Sequence, residues 1–69
     1  MAVAGAGRVA YRCEMRGGEL EVGAMQHRHS SAVYGAEDAL TILLSGGVCW
    51  VDGSELSELR KLVKGERNG

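Results

Sequence analysis

The sequence predicts an α+β fold: two antiparallel β-hairpins forming a four-stranded sheet, with a C-terminal amphipathic helix packed on one face. Three observations predict it. Apolar residues alternate on either side of Gly17-Gly18. A second double glycine, Gly46-Gly47, precedes the β-rich run Val48-Cys49-Trp50-Val51. An acidic start and a leucine stripe begin at Asp52. The expected element order is ββββα in a single domain over 1–69, with 1–7 flexible and 66–69 a frayed tail.

The first hairpin begins at Arg8. Val9, Tyr11, Cys13 and Met15 share one parity, and Ala10, Arg12, Glu14 and Arg16 share the other. That period of two is the signature of a half-buried strand. Gly17-Gly18 accepts the positive φ values of a tight turn. Beyond it Leu20, Val22 and Ala24 alternate with Glu19, Glu21 and Gly23. A two-residue turn sets Met15 opposite Leu20, Cys13 opposite Val22 and Tyr11 opposite Ala24, so the apolar sets of both strands share a face. It also sets Glu14 against Glu21, a like-charge pair that Arg12 can relieve from the diagonal.

Gln26 to Gly35 is polar, carries turn formers and reads as a loop. Ala36 to Ser45 supports two readings. As a helix, Ala36, Ala39, Leu40, Leu43 and Leu44 fall at i, i+3, i+4, i+7 and i+8, with Gly46 as C-cap. As a strand, Leu40, Ile42 and Leu44 alternate with Thr41, Leu43 and Ser45, and Gly46-Gly47 turns the chain into Val48–Val51. The β-branched and aromatic content of Val48–Val51 marks a strand, and a short partner across the double glycine favours the hairpin. The last element is the clearest. Asp52 and Glu55 form a D-x-x-E capping box. Leu56, Leu59, Leu62 and Val63 make one apolar stripe, acidic residues lead, basic ones trail as the helix dipole prefers, and Gly65 closes the helix.

Composition bounds the function. Sixty-nine residues with eight alanines and no phenylalanine give a thin core, and scaffolds of this size commonly need a staple, a metal or a partner. Eight basic and nine acidic residues nearly cancel, unlike the basic excess of a polyanion binder. No apolar stretch is long enough to span a membrane, and the N-terminal segment, interrupted by Arg8, lacks a signal-peptide pattern. Two cysteines far apart in sequence do not make a secreted disulfide framework. The expected location is the cytoplasm.

If residues 36–51 form a hairpin, Leu43, Val48 and Trp50 share the face that the helix leaves open. Exposed apolar clusters commonly mark interfaces, and tryptophan is enriched among the residues that dominate them. The expected function is therefore a non-catalytic protein-binding module, a subunit, adaptor or inhibitor that occupies surface on another protein or on a second copy of itself. Leu43, Val48 and Trp50 are the expected contact residues. The competing position for Trp50 is the core, under the long loop, Tyr34 or the N-terminal segment. The alternative function is a nucleic-acid-binding module using the His27-Arg28-His29 loop with Arg60, Lys61, Lys64 and Arg67.

Other motifs do not carry chemistry. Gly5-x-Gly7-x-x-Ala10 matches part of a dinucleotide fingerprint, but four residues cannot supply the preceding strand, and the residues after it alternate like a strand rather than a helix. His27, His29, Cys13 and Cys49 are possible zinc ligands, yet Cys13 and His27 are expected on opposite faces. The same opposition separates a Cys–His catalytic pair. No catalytic residue, metal, cofactor, membrane or small-molecule substrate is expected.

Overall fold

A computed structural model describes residues 8–68, with side chains described for 8–65. The expectations for residues 1–7 and for the side chains of 66–69, Arg67 included, lie outside these residues. Three strands and two helices make an α+β fold: β1 (Arg8–Arg16), β2 (Glu19–Arg28), α1 (Ala36–Leu44), β3 (Val48–Asp52) and α2 (Gly53–Asn68), with a 3-10 turn at Ser30–Ala32. The sheet is antiparallel in the order β2-β1-β3.

The β1–β2 hairpin turns at Gly17-Gly18, where both φ angles are positive, at 61° and 81°. Such a turn admits few residues other than glycine. Met15 pairs with Leu20, Cys13 with Val22 and Glu14 with Glu21, as the alternation requires. Beyond Cys13 the register shifts, and Tyr11 pairs with Met25 instead of Ala24. One extra residue of β2 is absorbed opposite Arg12, at Gly23-Ala24. An added residue changes which face all later side chains take. Gln26 to Arg28 therefore continue the strand rather than forming a loop, and Arg28 falls on the face shared by Ala10, Arg12 and Trp50.

Ala36–Leu44 is a helix, so the four-stranded, two-hairpin arrangement is replaced by three strands and an additional helix. The physical reason lies at both of its ends. Glu37 and Asp38 occupy the first turn, where negative charge meets the positive end of the dipole. At the other end the double glycine is a cap rather than a hairpin turn. Gly46, at φ 90°, donates its N–H to the Leu43 carbonyl at 3.0 Å, and Gly47 donates to the Ile42 carbonyl at 2.9 Å. These are the two bonds of a Schellman cap. A Cβ on Gly47 would stand 2.8 Å from Ile42 Cγ2 and 3.2 Å from the Ile42 carbonyl oxygen, so the second glycine is required by proximity.

α2 begins as its sequence dictates. The Asp52 carboxylate accepts the Glu55 N–H at 2.9 Å and the Ser54 hydroxyl at 3.0 Å. The reciprocal arm of the box is used elsewhere. Glu55 Oε1 accepts the N–H of Ala36 at 2.8 Å, capping α1, whose own N-cap, Gly35, has no side chain to offer. One carboxylate thus ties the starts of both helices together. The helix runs to Asn68, so Gly65 lies within it rather than ending it.

Both helices pack on one side of the sheet. The core joins Cys13, Cys49 and Val51 of the strands to Ala36, Ala39 and Leu43 of α1 and to Leu56, Leu59 and Val63 of α2. Tyr11, Met15, Leu20, Val22, Leu40, Ile42 and Leu62 pack around it. Leu43 is 2% exposed. It belongs to this core and not to the open face that the hairpin reading assigns it.

Candidate interaction face

Side chains alternate along a strand, so Val48 and Trp50 point away from the helices that bury Cys49 and Val51. Val48 is 44% exposed and Trp50 is half-buried. Of the three residues expected to form a patch, the structure brings Val48 and Trp50 to one face and places Leu43 on the other side of the sheet.

The neighbours of Trp50 are set by register. Trp50 pairs with Arg12 across β1–β3, and Arg28 pairs with Arg8 across β1–β2. Ala10 lies on the same face between those positions, and its small side chain leaves room for a bridge across the central strand. The Arg28 guanidinium stacks on the Trp50 ring at 4.5 Å from its centroid. A cation over an indole contributes about 0.5–1 kcal/mol when exposed. Ala10 is fully buried although it lies on the side opposite the helices. The signal that places Arg28 here is Gly23, since an isolated glycine inside a strand pattern marks a bulge.

Most charges of this face are paired among themselves. Arg8 meets Asp52 at 2.5 Å and Arg12 meets Glu14 at 2.6 Å. Arg16 bridges Glu14 at 3.2 Å and Glu21 at 3.3 Å, which relieves the like-charge pair from a second side. Hydrogen bonds from Arg12 and Arg16 hold the Glu14 carboxyl below its usual range. The Asp52 carboxyl is lowered first by the Glu55 N–H and then by Arg8 and Ser54. Exposed pairs of this kind contribute little stability each, but they leave the face nearly neutral around its tryptophan.

The two edges of the sheet differ. The Tyr34 N–H bonds the Trp50 carbonyl at 2.9 Å, tying the connecting segment to β3. β2 is the opposite edge strand, ten residues long, with Met25 61% exposed.

Among the described residues the remaining candidates do not assemble into a Cys–His pair or a metal centre. The bulge puts His27 on the same side of the sheet as Cys13, contrary to the expected opposition. However, His27 pairs with Val9, four residues from Cys13 along β1, or about 13 Å at the strand rise. Distance rather than facing keeps them apart. Burial pushes the Cys13 thiol up to about 11, with Cys49 adding to the rise and Arg60 opposing it. Burial also raises Cys49. A thiol raised in this way is a poor thiolate nucleophile at neutral pH. An open groove of about 400 Å³ between the helix starts is lined by Glu37, Asp38, Glu55 and Glu58. Among the described residues no three His, Cys, Asp or Glu side chains converge as a metal-binding set. No helix among them is long and apolar enough to cross a membrane.

Comparison with protein-family models, curated proteins and solved structures returned no match.

Proposed function

We propose that this chain is a non-catalytic protein-binding module that works by laying the outer face of its sheet, centred on Trp50 and Val48, against another protein. One observation carries the reading: the tryptophan stands on the side of the sheet that neither helix covers. A single helical layer shields one side only, and an aromatic ring left partly in water is the kind of anchor that dominates interfaces. The surrounding ion pairs supply a polar rim of mixed sign, as protein interfaces have. The β2 edge offers a second contact, through strand addition to a partner sheet. A second copy of the chain is one such partner, consistent with the thin core, and the cytoplasm is the proposed location.

Capture from host extract with wild type and with Trp50→Ala tests the reading. The expected result is retention of a partner by wild type and its loss in a variant that still folds. Equal capture by both would sink it. Salt separates this proposal from nucleic-acid binding through His27, Arg28, His29 and the basic end of α2. Phosphate contacts weaken steeply as salt rises, whereas an apolar anchor barely responds.

A further inference from the structure

The sequence sets Cys13 and Cys49 thirty-six positions apart; the sheet sets them directly opposite each other. They are register partners on β1 and β3, and both side chains belong to the same buried core. Directly opposed residues of an antiparallel pair have Cα atoms about 4.5–5.5 Å apart and project to the same side. A disulfide requires Cα atoms about 4.4–6.8 Å apart, a span that directly opposed register partners fall within. In the reduced chain the Cys13 thiol donates to the Tyr11 carbonyl at 3.6 Å and the Cys49 thiol to the Ala39 carbonyl at 3.9 Å. Both contacts are long and weak, and side-chain rotation is enough to give them up. Among the described residues no third ligand joins them as a metal-binding set, and each sulfur has the other as its register partner.

We propose that Cys13 and Cys49 form an intramolecular dithiol–disulfide pair, a covalent site that staples β1 to β3 when the chain meets a hydroperoxide. One thiolate attacks a peroxide oxygen; the O–O bond breaks, the distal oxygen leaves as water or an alcohol, and a sulfenic acid forms. The second thiolate attacks that sulfur, the S–S bond forms, and the hydroxyl leaves as water. Two electrons pass from the sulfurs to the peroxide, and both thiol protons end in the released products. Burial and the raised thiol pKa values make the reaction slow, governed by transient opening of the helices above the pair. The product supplies the staple that so small a core otherwise lacks.

The test uses the full chain, reduced, desalted and exposed to hydrogen peroxide under native conditions. The reaction is quenched with catalase and the chain alkylated in denaturant. The expected product is a monomer that takes up no alkylating agent, yields a Cys13–Cys49 cross-linked peptide and reverts with dithiothreitol. Its thermal midpoint should rise by about 10 °C or more, as closing a loop of this length implies. Cys13→Ala and Cys49→Ala should each abolish the product, while the wild-type readout depends on neither variant folding. The proposal is overturned if both thiols remain alkylatable after prolonged oxidation, if the bond forms only between chains or only in denaturant, or if the cross-linked monomer melts lower than the reduced one.

Discussion

Removing the Glu55 carboxylate should loosen a helix that begins nineteen residues earlier in the chain. Glu55 Oε1 accepts the Ala36 N–H at 2.8 Å, and Gly35 offers α1 no side-chain cap of its own. Losing a side-chain cap costs about 1 kcal/mol, within a range of about 0.5–2. Losing a negative charge at the positive end of a helix adds about 0.3–1 kcal/mol. Glu55→Ala should therefore destabilise the chain by about 1–2 kcal/mol. For a domain this small that lowers the thermal midpoint by about 5–15 °C. Urea titration followed by Trp50 fluorescence and far-ultraviolet circular dichroism measures it. Two controls isolate the cause. Glu58→Ala, on the same helix and paired with exposed Lys61 at 3.6 Å, should change stability by less than about 0.5 kcal/mol. Gly35→Ser supplies a local cap at a residue already in extended backbone (φ −70°, ψ 164°). It should restore part of the loss in the Glu55→Ala background. If Glu55→Ala is no worse than Glu58→Ala, the shared cap is not what holds α1.

Three other outcomes rest on the same packing. Leu43→Ala, at a core position, should destabilise by about 2–5 kcal/mol, whereas Trp50→Ala on the outer face should leave a cooperative urea transition of near wild-type slope; the reverse ranking would place the indole in the core. Gly47→Ala forces a Cβ against Ile42 and should cost about 1–3 kcal/mol, measured by thermal melting, with wild-type stability contradicting the Schellman cap. The folded-state pKa of Asp52 lies below its ordinary 3.8, so its contribution is present above the unfolded value and is lost as pH falls through the lowered folded one. Asp52→Asn, which keeps a capping side chain, should flatten the acid limb of a stability–pH curve, and an unchanged limb would refute that assignment.

Much of this fold is legible in local pattern, and the rest depends on partners distant in sequence. The first hairpin arises from strict alternation around two glycines, and α2 arises from Asp52 and its leucine stripe. The double glycine at 46–47 is ambiguous because positive φ serves a hairpin turn and a helix C-cap alike. Glu37 and Asp38 in the first turn tip the balance, together with a core that Ala36, Ala39 and Leu43 complete from above the sheet. β3 consequently pairs with β1, not with a neighbour across a turn, and only that pairing brings Cys13 to Cys49. The bulge beside Gly23 changes the face of Arg28 and carries it from an expected loop to the ring of Trp50. Glu55 reads locally as the second arm of its own capping box, because nothing nearby in sequence reveals that the N-terminus of α1 lies within reach. The open face survives the change of architecture for a simple reason: Trp50 and Val48 alternate with Cys49 and Val51 whichever element covers the other side.

Site-specific photo-crosslinking tests the outer face as a docking surface most directly. A benzophenone side chain is placed at Val48, on the outer face, or at Leu44, which is 58% exposed on α1, and each protein is irradiated in host extract. A docking surface at Trp50 predicts a discrete protein adduct from position 48, abolished by Trp50→Ala, and none from position 44. Adducts from position 44 alone, or equally from both positions, would contradict it.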